Sequence, residues 1–188
     1  MDEIRLVFKI TVVGDGGVGK TSLIKRFTES SFNKEYIKTI GAQFSVYNKQ
    51  IENVNVRLLL WDIAGQDDFS FLKPSFFKNS NASIIVYSVE KTKLGENSFN
   101  HILSWYNDLK QYCSNIPTVI FANKIDLIDL NTIDDSAIQK LMKDYEFLGF
   151  YYTSAKTGQG VINAFNVIIN LLYQKYKLLS EEYKIENL

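Results

Sequence analysis

The sequence predicts an α/β fold: a mostly parallel six-stranded sheet with one antiparallel strand and helices on both faces. Three observations predict it. Apolar, β-branched runs alternate with stretches whose apolar residues recur at helical spacing, the pattern of a covered parallel sheet. A short region at Glu52-Asn53 lies between two of the runs, which implies one hairpin within the sheet. The chemically distinctive segments fall where predicted strands end, the edge at which open α/β sheets bind ligands.

The elements follow in order. Residues 4–13 are apolar and β-branched and read as a buried strand. Leu23, Ile24 and Phe27 give residues 21–29 a helical period. Residues 30–40 are polar and glycine-free, an ordered loop. Residues 43–50 alternate through Phe44 and Val46, and residues 54–61 through Val54, Val56, Leu58 and Leu60, as two strands. Residues 67–79 read as a loop with an irregular helix. Residues 82–89 form a continuous apolar strand, hence a central one. Phe99, Ile102, Leu103, Tyr106 and Leu109 predict a helix over 98–113, and 117–122 a further buried strand. Thr132-Ile133-Asp134-Asp135 resembles a capping box before a helix through Tyr145. A last strand over 147–153 precedes a long helix with an apolar stripe of Val161, Phe165, Ile168 and Leu172. Residues 1–180 are expected to form one domain and 181–188 a polar tail.

Composition narrows the function classes. The chain has 188 residues, enough for a proper core, and 46% are hydrophobic, an ordinary globular value. Lys+Arg and Asp+Glu balance at 21 each, so no basic field invites nucleic acid or anionic lipid. Cys113 is the only cysteine, which rules out an intrachain disulfide. It reads as a small hydrophobe, and His101, the only histidine, as a surface or packing residue. The acidic start Met1-Asp2-Glu3 lacks a signal-peptide pattern and the glycine needed for myristoylation. No run is long enough to span a membrane, and the Ile-Glu-Asn-Leu end has no cysteine to prenylate. The expected location is therefore cytoplasmic, with peripheral membrane association left open.

Gly14-Asp15-Gly16-Gly17-Val18-Gly19-Lys20-Thr21 carries the G-x-x-x-x-G-K-[ST] spacing between a predicted strand and helix. Its glycines let successive main-chain N–H groups face one concavity, and the helix start adds its own unpaired N–H groups. Lys20 is placed to reach the β- and γ-phosphates, and the Thr21 hydroxyl to ligate Mg2+. A triphosphate nucleotide is the expected ligand.

Five motifs occur in one order: residues 14–21, Thr39, Asp62 to Gln66, Asn123-Lys124-Ile125-Asp126 and Ser154-Ala155-Lys156. On these the chain resembles the Ras superfamily of small GTPases over nearly its whole length. Ile40-Gly41-Ala42-Gln43-Phe44 and Trp61-Asp62-Ile63-Ala64-Gly65-Gln66 make it most like the Rab branch. The resemblance implies a P-loop G domain that binds GTP and GDP with Mg2+. It places Asp15, Gly16, Gly17, Val18, Gly19, Lys20, Thr21 and Ser22 around the phosphates, with Phe32 and Tyr36 near the nucleotide. Thr21, Thr39 and Asp62 match the magnesium set. Gly65 matches the glycine that binds the γ-phosphate, and Gln66 the residue that orients attacking water; Lys20 and Thr39 share the catalytic role. Asn123, Lys124 and Asp126 match the guanine reader, supported by Ser154, Ala155 and Lys156.

The base choice has a physical reason. Guanine presents an amino donor that adenine lacks at that position. An ionised carboxylate only accepts, so Asp126 facing adenine would be left unpaired. Guanine is therefore favoured over adenine, against a P-loop kinase. Slow hydrolysis of GTP to GDP, stimulated by a partner, is the expected activity, and no arginine is evident at the matching sites to supply charge in cis. A guanine-nucleotide scaffold without useful turnover is the alternative. Phe44, Trp61 and Phe76 match an aromatic trio offered to effectors, exchange factors and activating proteins by a monomer; buried or half-buried packing is the bland alternative. The chain departs from the pattern at Lys38, where most relatives carry proline, at Asp67-Asp68, and in its end without cysteine.

Overall fold

A computed structural model describes residues 4–33, 38–65, 73–113 and 115–186. Its sheet has six strands: β1 Ile4–Val13, β2 Ala42–Ile51, β3 Val54–Ile63, β4 Ala82–Ser88, β5 Thr118–Asn123 and β6 Gly149–Thr153. Their order across the sheet is β2-β3-β1-β4-β5-β6. All neighbours are parallel except β2 and β3, which pair antiparallel through the Glu52 turn, where φ is 51°.

The helices are α1 Lys20–Glu29, α2 Lys73–Phe77, α3 Lys93–Asn100, α4 Ile102–Tyr112, α5 Ser136–Tyr145 and α6 Val161–Glu186. They cover both faces because the strands alternate. Ile10 and Val12 of β1 join Leu58 and Leu60 of β3 on one face, against Leu23 and Phe27 of α1 and Phe165 and Ile168 of α6. On the other face Val13, Ile63, Ile85 and Ile120 meet Ile102, Trp105 and Leu109 of α4 and Ile138 of α5. β4 is buried at all seven positions, as its continuous apolar run predicts. Lys49 Nζ donates to Asn166 Oδ1 at 2.7 Å and Tyr173 Oη to Glu52 at 3.0 Å, which ties the hairpin to α6.

Three expectations are corrected. The helix over 98–113 is two helices beginning at Lys93. Thr92 caps the first through its hydroxyl, which accepts from Gly95 N at 3.4 Å. Gly95 and Asn97 are poor helix formers and conceal this turn from periodicity. The chain bends between the helices at His101, which ends α3 and starts α4.

The capping box does not form. Thr132 closes a short 3-10 turn and donates to Asp129 O at 2.8 Å, while Asp134 accepts from Ser136 N at 2.9 Å. The last strand starts at Gly149 rather than at 147, because Glu146 leaves α5 in the left-handed region and Phe147 turns into the core. Of the stretch over 67–79, α2 covers Lys73–Phe77, and residues 66–72 lie outside the described residues. The helix α6 continues through Glu186, with neither glycine nor proline to stop it.

The parallel register brings the carboxyl ends of β1, β3, β5 and β6 to one edge. Val12 lies opposite Asp62, and Asn123 opposite both Ser88 and Thr153. Four of the five segments singled out for their chemistry follow strands that end there, and Thr39 precedes β2, whose first residue Ala42 lies opposite Ile63 at the same edge.

Candidate functional site

The phosphate loop is shaped by contacts that only glycine permits. Gly14 has φ 137°, and a Cβ there would lie 2.1 Å from Val86 O. Gly19 has φ 102°, and a Cβ there would lie 2.4 Å from Asn123 Nδ2. α1 starts directly after Gly19 with no side chain capping it, so its first N–H groups face the loop's concavity. Lys20 is buried, and its ammonium donates to Gly14 O at 2.6 Å and Asp15 O at 2.7 Å. Burial pushes its pKa down to about 8, with the Asp62 and Asp15 carboxylates pulling the other way.

Three oxygen-bearing side chains converge beside Lys20. The Thr21 hydroxyl donates a close hydrogen bond to Asp62 Oδ2 and lies 3.0 Å from the Thr39 hydroxyl. Thr39 Oγ1 is 3.5 Å from the same carboxylate oxygen. Asp62 Oδ1 is buried without a hydrogen-bond partner among the described residues. An orphaned carboxylate oxygen beside two hydroxyls is the donor set of a hard cation, so these residues fit Mg2+. Burial raises the Asp62 pKa, opposed by the Thr21 hydrogen bond and the Lys20 charge.

A cavity of about 330 Å³ runs from this cluster to the loops after β5 and β6. Among the predicted site residues, Gly16, Gly17, Gly19, Lys20, Thr21, Ser22, Phe32, Thr39, Gly65, Asn123, Lys124, Asp126, Ala155 and Lys156 line it. Gly65 lies against the phosphate loop, where a Cβ would meet Asp15 C at 2.3 Å and Gly16 N at 2.4 Å. Asp126 is held by Ser154 Oγ, which donates to Oδ1 at 2.6 Å, and by Lys156 Nζ, 3.6 Å from Oδ2. No arginine lines the cavity among the described residues.

A Ras family model matches residues 9–174. The chain belongs to the Ras family. It is 35% identical over 178 residues to Ras-related protein Rab-1 of Theileria annulata, which covers 93% of this chain and 78% of that one. It is 34% identical over 175 residues to Ras-related protein Rab-18-B of Danio rerio, covering 92% of this chain and 82% of the relative. With Ras-related protein Rab-15 of Homo sapiens the identity is 29% over 173 residues, covering 92% and 79%.

Some positions in this Ras-family chain make contacts that the motif spacing does not show. Asn123 is buried and joins loops: Nδ2 donates to Val18 O at 2.8 Å, while Oδ1 accepts from Ala155 N at 3.2 Å and Thr153 Oγ1 at 3.3 Å. Val18 and Ser154 are fully buried behind the cavity wall. The Asp15 carboxylate turns away from the cavity to Trp105 and His101. Tyr36 and Gln66 lie outside the described residues, as do Asp67 and Asp68.

Sequence reasoning missed two supporting side chains. Arg26 of α1 donates to Ala155 O and Lys156 O at 2.7 Å each and to Ser30 O at 3.0 Å, with its guanidinium 5.9 Å from the Phe32 ring centre. Glu90 accepts from Lys124 Nζ at 2.7 Å. Lys25, Asn33, Lys38 and Leu127 also line the cavity. An arginine nearly two turns past the phosphate-loop lysine on a predicted helix was the available signal for Arg26.

The aromatic trio is contiguous. Phe44 is 63% exposed, and both the Phe44–Trp61 and Trp61–Phe76 ring centres are 6.0 Å apart. Lys9 Nζ sits 4.5 Å from the Trp61 ring centre. Trp61 and Phe76 are half-buried against the core, so the packing reading holds for them in part, while Phe44 is open to solvent. Cys113 is buried and donates to Phe77 O at 2.9 Å. No helix among the described residues is long and apolar enough to cross a membrane.

Proposed function

We propose that this chain is a guanine-nucleotide switch that binds GTP and GDP with Mg2+ and hydrolyses GTP, in Rab-like vesicle trafficking or signalling. The convergence of Lys20, Thr21, Thr39 and the half-unpaired Asp62 at one end of a cavity that holds Asp126 at the other supports this reading above all. Membership of the Ras family supports it independently.

Each residue takes the role that its motif supports. Main-chain N–H groups of residues 16–21 grip the phosphates, and Lys20 moves its ammonium from loop carbonyls to phosphate oxygens. Thr21, Thr39 and Asp62 would hold Mg2+, which supplies charge neutralisation on the β- and γ-phosphates. Gly65 offers its N–H to the γ-phosphate, and Gln66 orients the attacking water. Water forms the new bond to the γ-phosphorus as the bond to the β-bridging oxygen breaks, giving GDP and phosphate. Asp126 accepts from the guanine ring N–H and amino group, and Phe32 borders the base. Thr39 and Gly65 lie in two segments tied to the γ-phosphate and released when it leaves.

Phe44, Trp61 and Phe76 form the surface read by effectors and regulators, and a partner supplies the missing positive charge. Residues 1–180 form the G domain. The protein works in the cytoplasm and peripherally at membranes.

Single-turnover hydrolysis of γ-labelled GTP tests the proposal. For comparison, unassisted Ras turns over at about 10⁻⁴ per second. A rate of that order, dependent on Mg2+, supports a switch. Tight GTP binding with no turnover, alone or with activating proteins, leaves only a scaffold.

A further inference from the structure

The Asp15 carboxylate is gripped at both oxygens from one helix face. Trp105 Nε1 donates to Oδ1 at 2.9 Å, and His101 Nδ1 lies 2.8 Å from Oδ2. His101 and Trp105 stand four residues apart, joined by the Trp105 N to His101 O hydrogen bond of 3.0 Å, so both point the same way. The Asp15 side chain is 17% exposed, while Trp105 is anchored in the core beneath the sheet face. Hydrogen bonds to an ionised carboxylate are among the stronger ones, and two of them fix its orientation.

The main chain of Asp15 makes contacts that matter to the phosphates. Its carbonyl accepts from Lys20 Nζ, and its peptide lies where any side chain at Gly65 would strike it. The preceding helix, α3, approaches the loop through Leu94, whose Cδ2 would lie 3.3 Å from a Cβ at Gly17.

We propose that Trp105 and His101 are positioning residues for nucleotide binding: by holding the Asp15 carboxylate they fix the phosphate loop, and they slow nucleotide release. This rests on the guanine-nucleotide reading above. It also makes the junction of α3 and α4, remote from the cavity lining, a place from which release can be controlled.

The test uses the full chain loaded with a fluorescent GDP analogue, chased with excess GDP at fixed Mg2+. Trp105→Phe keeps a ring in the core but removes the donor. It is expected to speed release by roughly tenfold, the scale of one hydrogen bond to a charged group. His101 is 55% exposed, so His101→Ala leaves packing nearly untouched; roughly two- to fivefold is expected. In an Asp15→Ala background neither substitution should accelerate release further. A merely structural role would instead lower the thermal midpoint and add to Asp15→Ala. Unchanged release in both single variants, or additive effects in the double variants, overturns the inference while leaving the nucleotide reading standing. Wild-type protein that binds no GDP analogue overturns both.

Discussion

Asn123 donates a hydrogen bond of 2.8 Å to the carbonyl of Val18, 105 residues earlier in the chain. This bond joins the phosphate loop to the loops at the other end of the cavity. Asn123→Ala would orphan the Val18 carbonyl and the Ala155 N–H together. A loss of about 2 kcal/mol of stability is expected, read by urea unfolding of the nucleotide-free protein. GDP affinity should fall in parallel, and an unchanged midpoint would show that the bond contributes nothing.

Asp62 carries a buried oxygen with no hydrogen-bond partner among the described residues, and burial raises its pKa above the unfolded value. The sign follows from linkage: a raised carboxylate pKa means that the folded, metal-free protein is penalised once the group ionises. That penalty fades as the pH falls through the folded pKa. Asp62→Asn should therefore leave the metal-free thermal midpoint equal or higher, while removing the extra stability that Mg2+ gives the GDP complex. A variant that keeps its Mg2+ response would exclude Asp62 from the cation site.

Arg26 reaches two carbonyls of the 154–156 loop through one guanidinium. Lysine keeps the charge but not the planar fork. Arg26→Lys should cost about 1–2 kcal/mol and hasten GDP release, because the loop that supports Asp126 loses its anchor on α1. Equal release rates would confine Arg26 to a role in stability.

Asp126 decides the base if its carboxylate accepts from guanine. Asp126→Asn retains an acceptor for Ser154 but presents one donor where guanine also donates. GDP affinity should fall by roughly 10²-fold or more, with ADP affinity unaffected. Titration of both nucleotides checks this, and an unaltered preference for GDP would place base selection elsewhere.

Much of this was legible in the sequence, for identifiable reasons. β4 and β5 are continuous apolar runs with no competing period, and β3 alternates cleanly after Glu52, whereas the alternation of β2 puts its apolar Phe44 and Val46 on the exposed face. Fourteen of the predicted residues line one cavity because the parallel register carries each strand's carboxyl end to the same edge. Side-chain direction was not legible. Asp15 sits within the phosphate motif, yet its carboxylate turns to a helix 86 residues on. Glu90 and Arg26 meet their partners only once the sheet has formed. Local signals misled where two hydrogen-bonding options competed: Thr132 bonds back to Asp129 instead of capping α5.

The most direct test is to denature the purified protein, identify the released nucleotide by chromatography and mass, and then measure GDP affinity with Mg2+ and with EDTA. Near-stoichiometric GDP or GTP, held far more tightly with Mg2+ than without, is the predicted result. A preparation free of guanine nucleotide, with no Mg2+-dependent affinity for GDP or GTP, would contradict the account.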